Sequence, residues 1–256
     1  MRIRNWLNIL LCIFAFQTND SFAKILRIAG IPEAPLRYYD KNKKLKGIDI
    51  EIIELVFKQL KIPYKVILLQ SSPGLKKIYQ EKSADMILSF SKTQDRERYL
   101  DFALEPHMKI SWHFFVKKNN KNKYKFDTFA DLKGARVGVT YGFAYTVDFW
   151  NSIETGILKP FYEHQNSLQM QNLLKNKVDL VLLNKVTAMH HAKQNQNLNK
   201  ISFLENPVKT SLYYNSFVRN SDFPGIEKIK KSYDMVLKKI KSEGAVKAIL
   251  DKYGVH

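Results

Sequence analysis

A cluster of hydroxyl side chains and one arginine follows a short apolar run in the first half of the chain. Ser89 and Ser91 come directly after Met86–Leu88, and Thr93 and Arg96 follow within a few residues. On a strand, Ser89 and Ser91 would project from the same side. An arginine fork pairs with both oxygens of a carboxylate, and hydroxyls can fill the remaining lone pairs. The pattern predicts a carboxylate-binding site; the alternative is a solvated arginine beside an ordinary turn.

The elements around this cluster alternate between short apolar strands and helical stretches. Three apolar runs are predicted as strands: 25–29, 64–69 and 85–88. Helices are predicted over 49–60, with Asp49 as the N-cap, and around 75–81. Such alternation is typical of a mainly parallel sheet with helices packed on it. The predicted fold class is therefore α/β.

A second unit repeats this order later in the chain. A strand is predicted over 136–139, and the turn 141–144 leads from it into a predicted helix. A further helix, turn and aspartate precede the strand 180–183, as they do before the strand that ends at Ser89. Asn184 ends this second copy, and ligands bind at the carboxyl ends of strands in open α/β sheets. The alternative at each position is a strand that simply stops at a polar residue.

The last part of the chain predicts a long amphipathic helix and a short one. Apolar residues from Ile226 to Ile240 follow helical spacing, which indicates core packing. Gly244 is expected to break the helix before a second one over 246–252. The lysine-rich stretch 117–125 predicts a loop over the second unit.

The first 23 residues predict a cleaved export signal. Arg2 and Arg4 precede an apolar core, Leu7–Phe16, that is too short to span a bilayer. Residues 21–23 place small side chains where a signal peptidase would cleave after Ala23. We therefore expect a periplasmic protein.

The single cysteine and the net charge narrow the function classes. Cys12 lies in the predicted signal and follows a leucine, where a lipoprotein signal would have a small residue, so we predict neither a lipid anchor nor a disulfide.

The formal net charge is +18 and comes mostly from scattered lysines, a pattern typical of solvated helix faces. The alternatives are attraction to anionic ligands, to an acidic envelope surface or to nucleic acid. No nucleic-acid-binding motif is present, so we predict no nucleic-acid partner.

The order of these parts resembles the bacterial periplasmic solute-binding proteins of family 3, which serve polar amino-acid ABC transporters. The resemblance covers residues 24–254 and is carried by these segments: 34–36, 47–52, 101–106, 131–134 and 137–139. It implies a type II fold, in which two α/β lobes with mixed, mainly parallel sheets close around a small ligand. Two hinge crossovers would connect the lobes, near 109–113 and 209–214.

The resemblance also implies lobe limits and a ligand contact set. Lobe 1 would comprise 24–110 and 213–256, and lobe 2 would comprise 111–212. Ser89, Ser91 and Arg96 match the family positions that hold the α-carboxylate of an amino acid, and Phe90 belongs to the same predicted set.

Three parts of the expected site depart from the family pattern. Gly142-Phe143-Ala144 replaces a turn that usually supplies a hydroxyl, although backbone N–H groups at a helix start could still bind an anion. Asn184 stands where the family has an acid that pairs with the ligand ammonium. Glu33 replaces the stacking aromatic; it could take over the ammonium, or it could be a solvated loop carboxylate.

We therefore expect a binding protein for a small carboxylate-bearing ligand, either an amino acid or a related organic acid such as a dicarboxylate. An ABC permease of the inner membrane is the expected partner, and the protein is expected to be a monomer without cofactor or metal. The alternatives are a periplasmic dehydratase or lyase on the same fold, for which Glu33 could serve as an acid or base, and a ligand-sensing receptor module. The histidines are scattered, and no converging set of catalytic roles is visible in the sequence.

Overall fold

The computed structural model describes residues 24–255, so the predicted export signal with Cys12 and the terminal His256 lie outside the described residues. Within that range the strands are β1 (Leu26–Gly30), β2 (Tyr38–Tyr39), β3 (Leu45–Lys46), β4 (Tyr64–Leu68), β5 (Met86–Ser91), β6 (Leu100–Phe102), β7 (Met108–Lys117), β8 (Arg136–Thr140), β9 (Lys159–Glu163), β10 (Leu180–Asn184), β11 (Ile201–Phe203) and β12 (Lys209–Val218). The helices are α1 (Ile48–Leu60), α2 (Ser72–Gln80), α3 (Gln94–Glu97), α4 (Val147–Glu154), α5 (Asn166–Leu174), α6 (Lys185–Gln194), α7 (Ile226–Ser242) and α8 (Ala245–Lys252). None of these helices has the length and apolar character needed to cross a bilayer.

One mixed sheet runs through the described part of the molecule. Its main path is β4-β1-β5-β12-β7-β10-β8-β9, and β6 and β11 pair with β12 and β7. Parallel pairing joins β4, β1 and β5 at one end and β10, β8 and β9 at the other. The antiparallel pairs of this sheet all involve β7 or β12. The predicted α/β class with mixed sheets is confirmed.

Strands β7 and β12 connect the two parallel groups. They pair with each other over Met108–Trp112 and Lys209–Tyr213, which overlap the crossovers predicted near 109–113 and 209–214. Beyond that ladder β12 pairs with β5, and β7 pairs with β10. The residue limits of the lobes, 24–110 with 213–256 and 111–212, stay a prediction.

An arginine–aspartate pair occurs at the same place in each parallel group. Arg27 on β1 donates from its backbone and its guanidinium to Asp85, which precedes β5, over 2.7–3.0 Å. Arg136 on β8 donates in the same way to Asp179, which precedes β10, over 2.9–3.0 Å. These bidentate pairs fix neighbouring strands in register, so the two strands that end in Ser91 and Asn184 start from equivalent anchors.

Helix α1 begins at Ile48, with its N-cap two residues before the predicted one, and Asp49 does not cap it. Gly47 is the N-cap, with φ of 125°, and a side chain there would place its Cβ 2.4 Å from the carbonyl oxygen of Leu36. Only glycine fits such an approach. The prediction of a loop over 117–125 was also wrong in part, because Lys118–Lys123 forms a short 3-10 helix.

The predicted C-terminal helices are confirmed, and α7 supplies much of the first half's core. Its apolar face buries Ile229, Tyr233 and Leu237, and the Tyr233 ring centroid lies 6.0 Å from that of Phe57 on α1. Met235 points the other way and is 65% exposed.

Leu237→Ala should lower the free energy of unfolding by about 2–5 kcal/mol, because it removes buried methyl groups and leaves a cavity. Met235→Ala on the same helix is the matched control and should change stability by less than about 0.5 kcal/mol. Chemical denaturation of both variants measures the difference. Equal effects would contradict the assignment of this helix face to the core.

Candidate functional site

A cavity lies where the carboxyl end of β5, the crossover strands and the 142–144 turn meet. This inner cavity has a volume of about 40 Å³. It shares Arg96 and Phe143 with a second, outer cavity of about 360 Å³. The inner cavity is lined by Ile31, Glu33, Arg37, Ser72, Ser89, Phe90, Ser91, Arg96, Trp112, Phe143, Ala144, Lys209 and Tyr213. Seven of the nine residues predicted as ligand contacts are in this lining; the exceptions are Gly142, which lines the outer cavity, and Asn184. Whether these residues bind a ligand stays a prediction.

The two serines of β5 have different partners, because the strand does not alternate regularly there. Ser89 is in the left-handed region, with φ of 54°, opposite a register shift in β12 at Asn215. The Ser89 N–H donates to Asn215 Oδ1 at 2.9 Å, and its Oγ lies 3.2 Å from Nε2 of His107. Ser91 Oγ instead accepts from Arg96 at 2.9 Å. Ser89 therefore belongs to a buried network, and Ser91 positions the arginine.

Arg96 faces the cavity and lacks a carboxylate partner. Its Nη1 donates to the carbonyl oxygen and the hydroxyl of Ser91 at 2.9 Å, and its guanidinium carbon lies 4.1 Å from the centre of the Phe90 ring. Among residues 24–255 no carboxylate forms an ion pair with it. Burial lowers the pKa of Arg96, but arginine stays protonated in proteins. Arg98, two residues on, is exposed. The predicted solvated-arginine alternative fits Arg98 and does not fit Arg96.

Lys209 is a second cation of the same lining. Its Nζ donates to the carbonyl oxygen of Ala144 and lies 5.1 Å from the centre of the Trp112 ring. Burial, and then the charge of Arg96, lower its pKa to about 8. Two cations thus lie close enough to affect each other, and within residues 24–255 Lys209, like Arg96, has no carboxylate in ion-pair contact.

The remaining charges of the site form a compensated buried cluster. Arg37, which is 3% exposed, donates to Asp49 at 2.6 Å and lies 3.5 Å from Glu33. His107 Nε2 lies 3.1 Å from the other oxygen of Asp49. Burial alone would raise the pKa of Asp49, but the hydrogen bond from His107 and the charge of Arg37 outweigh it and hold the pKa low. Asp49 is therefore a buried counter-ion rather than the predicted helix cap. Residues 24–255 contain no His, Cys, Asp or Glu cluster suited to a metal ion.

Glu33 connects this cluster to the second parallel group. Its side chain is 12% exposed, so it is not a solvated loop carboxylate. Its Oε1 accepts from Thr187 Oγ1 at 3.2 Å and from Asn184 Nδ2 at 3.5 Å. Burial raises the pKa of Glu33, and the charge of Arg37 offsets this only in part. Asn184 lies behind Glu33 rather than on the cavity wall, where its Oδ1 caps α6 by accepting from the Val186 N–H at 2.9 Å.

The 142–144 turn is not a helix start, contrary to the expectation from sequence. Helix α4 begins at Val147 and is capped by Thr146, so its free N–H groups lie beyond this turn. Gly142 has φ of 73°, and a Cβ there would lie 2.7 Å from Cβ of Ser72 at the start of α2. The glycine therefore permits a close contact between the two halves at the cavity.

Sequence reasoning missed several residues of the lining. Trp112, Lys209 and Tyr213 all lie on the predicted crossovers, so the expected crossing of two strands at the site was a usable signal. Arg37 follows the 34–36 motif, and its pairing with Asp49 depends on the contact of this segment with the start of α1, where the Asp49 N–H donates to the Leu36 carbonyl oxygen. Ser72 is the first residue of α2, and no local sequence pattern connects the start of this helix to the cavity.

Lys209 should titrate near pH 8, whereas an ordinary lysine has a pKa of about 10.4. The side-chain resonances of lysine labelled with carbon-13 measure this directly, and Lys209→Met identifies the signal. A midpoint above pH 10 would contradict the burial of this ammonium group.

The comparisons with known proteins agree with this architecture. The sequence profile of the bacterial extracellular solute-binding proteins, family 3, matches residues 26–256. No protein with a curated description matches the sequence significantly. Among solved structures, a mutant of ArgBP from T. maritima superposes with a TM-score of 0.74 at 20% identity, covering 90% of this chain and 94% of that one.

Two further structures have the same fold. The GluR0 ligand-binding core in complex with L-glutamate has a TM-score of 0.75 at 16% identity, over 91% of this chain and 99% of its own. The substrate-binding protein of an amino acid ABC transporter has a TM-score of 0.71 at 18% identity, over 90% and 99%. At these identities the likeness establishes the type II periplasmic binding protein fold. Since the family profile covers nearly all described residues, the chain belongs to the bacterial extracellular solute-binding proteins, family 3.

Proposed function

We propose that this protein captures a small carboxylate-bearing ligand, an amino acid or a related organic acid, between its two lobes. The observation that carries the proposal is Arg96, which faces the inter-lobe cavity beside Ser91 without a carboxylate of its own. A guanidinium removed from bulk water is stabilised best by a bidentate anion. A ligand carboxylate supplies that anion.

The surroundings of Arg96 support a charged ligand over an apolar one. Phe90 covers one face of the guanidinium, and Ser91 holds one of its nitrogens, so its orientation is fixed before a ligand arrives. A fixed donor loses little side-chain entropy on binding. Glu33 on the same wall is the candidate acceptor for a ligand ammonium group, if the ligand has one.

One relative, the binding protein of an amino acid ABC transporter, supports uptake as the biological role. The fold neighbours include an arginine-binding protein, a glutamate complex and the binding protein of an amino acid ABC transporter. We propose that this protein is exported by its predicted signal and, as a monomer, delivers its ligand to an ABC permease. ArgBP and the GluR0 core differ in ligand, so the ligand of this chain has to be measured.

A thermal-shift screen of amino acids and small organic acids tests the proposal. At a ligand concentration of 100 Kd the folded state gains about 2.7 kcal/mol, which for a chain of this size raises Tm by about 5–10 °C. Recovery of unchanged ligand after incubation separates binding from turnover. The absence of stabilisation by any carboxylate would refute the proposal.

Arg96→Ala should weaken the binding of any carboxylate hit by about 2–5 kcal/mol, roughly 30-fold to several thousand-fold, because a desolvated charge pair loses one partner. Arg98→Ala is the matched control: it removes an exposed guanidinium two residues away and should leave Kd unchanged. Isothermal titration calorimetry measures both. Similar losses for the two variants would show that the effect is long-range charge rather than contact.

Gly142→Ala should weaken ligand binding, because its Cβ would meet Ser72 and hold the two halves apart. Gly156→Ala is the control, since Gly156 has the same φ of 73° but no neighbour within 4 Å of the added Cβ. Both variants carry similar backbone strain, so we expect equal losses of stability and a loss of affinity for Gly142→Ala alone. Equal ligand affinities would contradict the role of this contact in closure.

A further inference from the structure

We propose that Lys209 and Arg96 form one site for a doubly charged anion, so that the ligand is a short dicarboxylate: an acidic amino acid or a simple diacid. This inference rests on the proposed function and specifies its substrate class. It assigns selectivity to Lys209, a residue of the crossover strand β12 that no sequence motif singled out.

The position of Lys209 makes it available to the same ligand as Arg96. Both side chains line the inner cavity, Arg96 from α3 and Lys209 from β12. The Lys209 ammonium donates to the carbonyl oxygen of Ala144 and lies over the Trp112 ring, which leaves its other N–H donors for a further acceptor. Ala144 and Trp112 hold it at the cavity wall instead of letting it extend into solvent.

The charges around the cavity favour two negative groups on the ligand. Of the three cations in the lining, Arg37 is paired with Asp49 and Glu33. Arg96 and Lys209 are not paired within the described residues. A monocarboxylate would compensate Arg96 and leave Lys209 as a desolvated ammonium beside it, at a cost that a second carboxylate removes.

Two further observations agree with this inference. The charge of Arg96 contributes to the lowered pKa of Lys209, so bringing an anion between the two cations favours the protonated lysine. The small inner cavity favours a short ligand.

Pairs of ligands with nearly the same shape and different charge provide the test. L-glutamate and L-glutamine, and L-aspartate and L-asparagine, differ by one carboxylate, and succinate is a diacid without an ammonium group. We expect at least one of these diacids to bind the wild-type protein at least 10-fold more tightly than its amide counterpart or, for succinate, than the monoacid butyrate. Lys209→Met should abolish that preference, whereas Lys209→Arg, which keeps the charge, should retain it.

Lys109→Met is the matched control, because Lys109 is an exposed lysine of the neighbouring strand and lies outside the inner cavity. It should leave the preference unchanged. Equal or tighter binding of the amides would overturn the inference. A Lys209→Met variant that loses acid and amide affinity equally would also overturn it. That result indicates that Lys209 acts only by holding the backbone at Ala144. In both cases binding that depends on Arg96 leaves the proposed function intact; if no carboxylate binds at all, both proposals fall.

Discussion

The cost of keeping positive charge out of water is the constraint on which this site depends. Three cations are held at one cavity, and the protein compensates only one of them. Arg37 is paired with Asp49 and Glu33, whereas Arg96 and Lys209 interact with hydroxyl, carbonyl and aromatic groups that orient a cation without neutralising it. Buried groups are normally paired, so an unpaired and well-oriented cation in a cavity indicates a function rather than a contribution to stability.

The fold brings these charges together by joining distant parts of the chain. The strand β5 ends at the cavity, α3 follows it, and β7 and β12 cross beneath it. Equivalent arginine–aspartate pairs anchor the two parallel groups, so the same kind of contact fixes the starts of β5 and β10. Glu33 then bridges from the first group to Asn184 and Thr187 in the second. The polar contacts at the cavity therefore also join the two halves.

Sequence patterns predicted the elements well because period and turn chemistry are local. The strand–helix alternation and the amphipathic α7 follow from residue spacing, the crossovers were expected from the family resemblance, and Arg96 was recognised by its neighbouring hydroxyls. The exceptions have long-range causes. Asp49 is of a residue type that commonly caps helices, yet its carboxylate contacts Arg37 and His107 as a counter-ion. Lys209 has no distinguishing neighbours in the sequence, since its character comes from burial against Trp112 and proximity to Arg96.

The position of β12 between β5 and β7 has a consequence for the order of folding. The sheet path passes from one parallel group to the other only through this strand, which comes after more than 180 residues of the described chain. Until it arrives, β5 and β7 each present an open edge, and open edges pair readily with other chains. A chain synthesised from its amino end thus keeps these two edges unpaired until most of it has been made, and contacts of such long sequence separation form slowly.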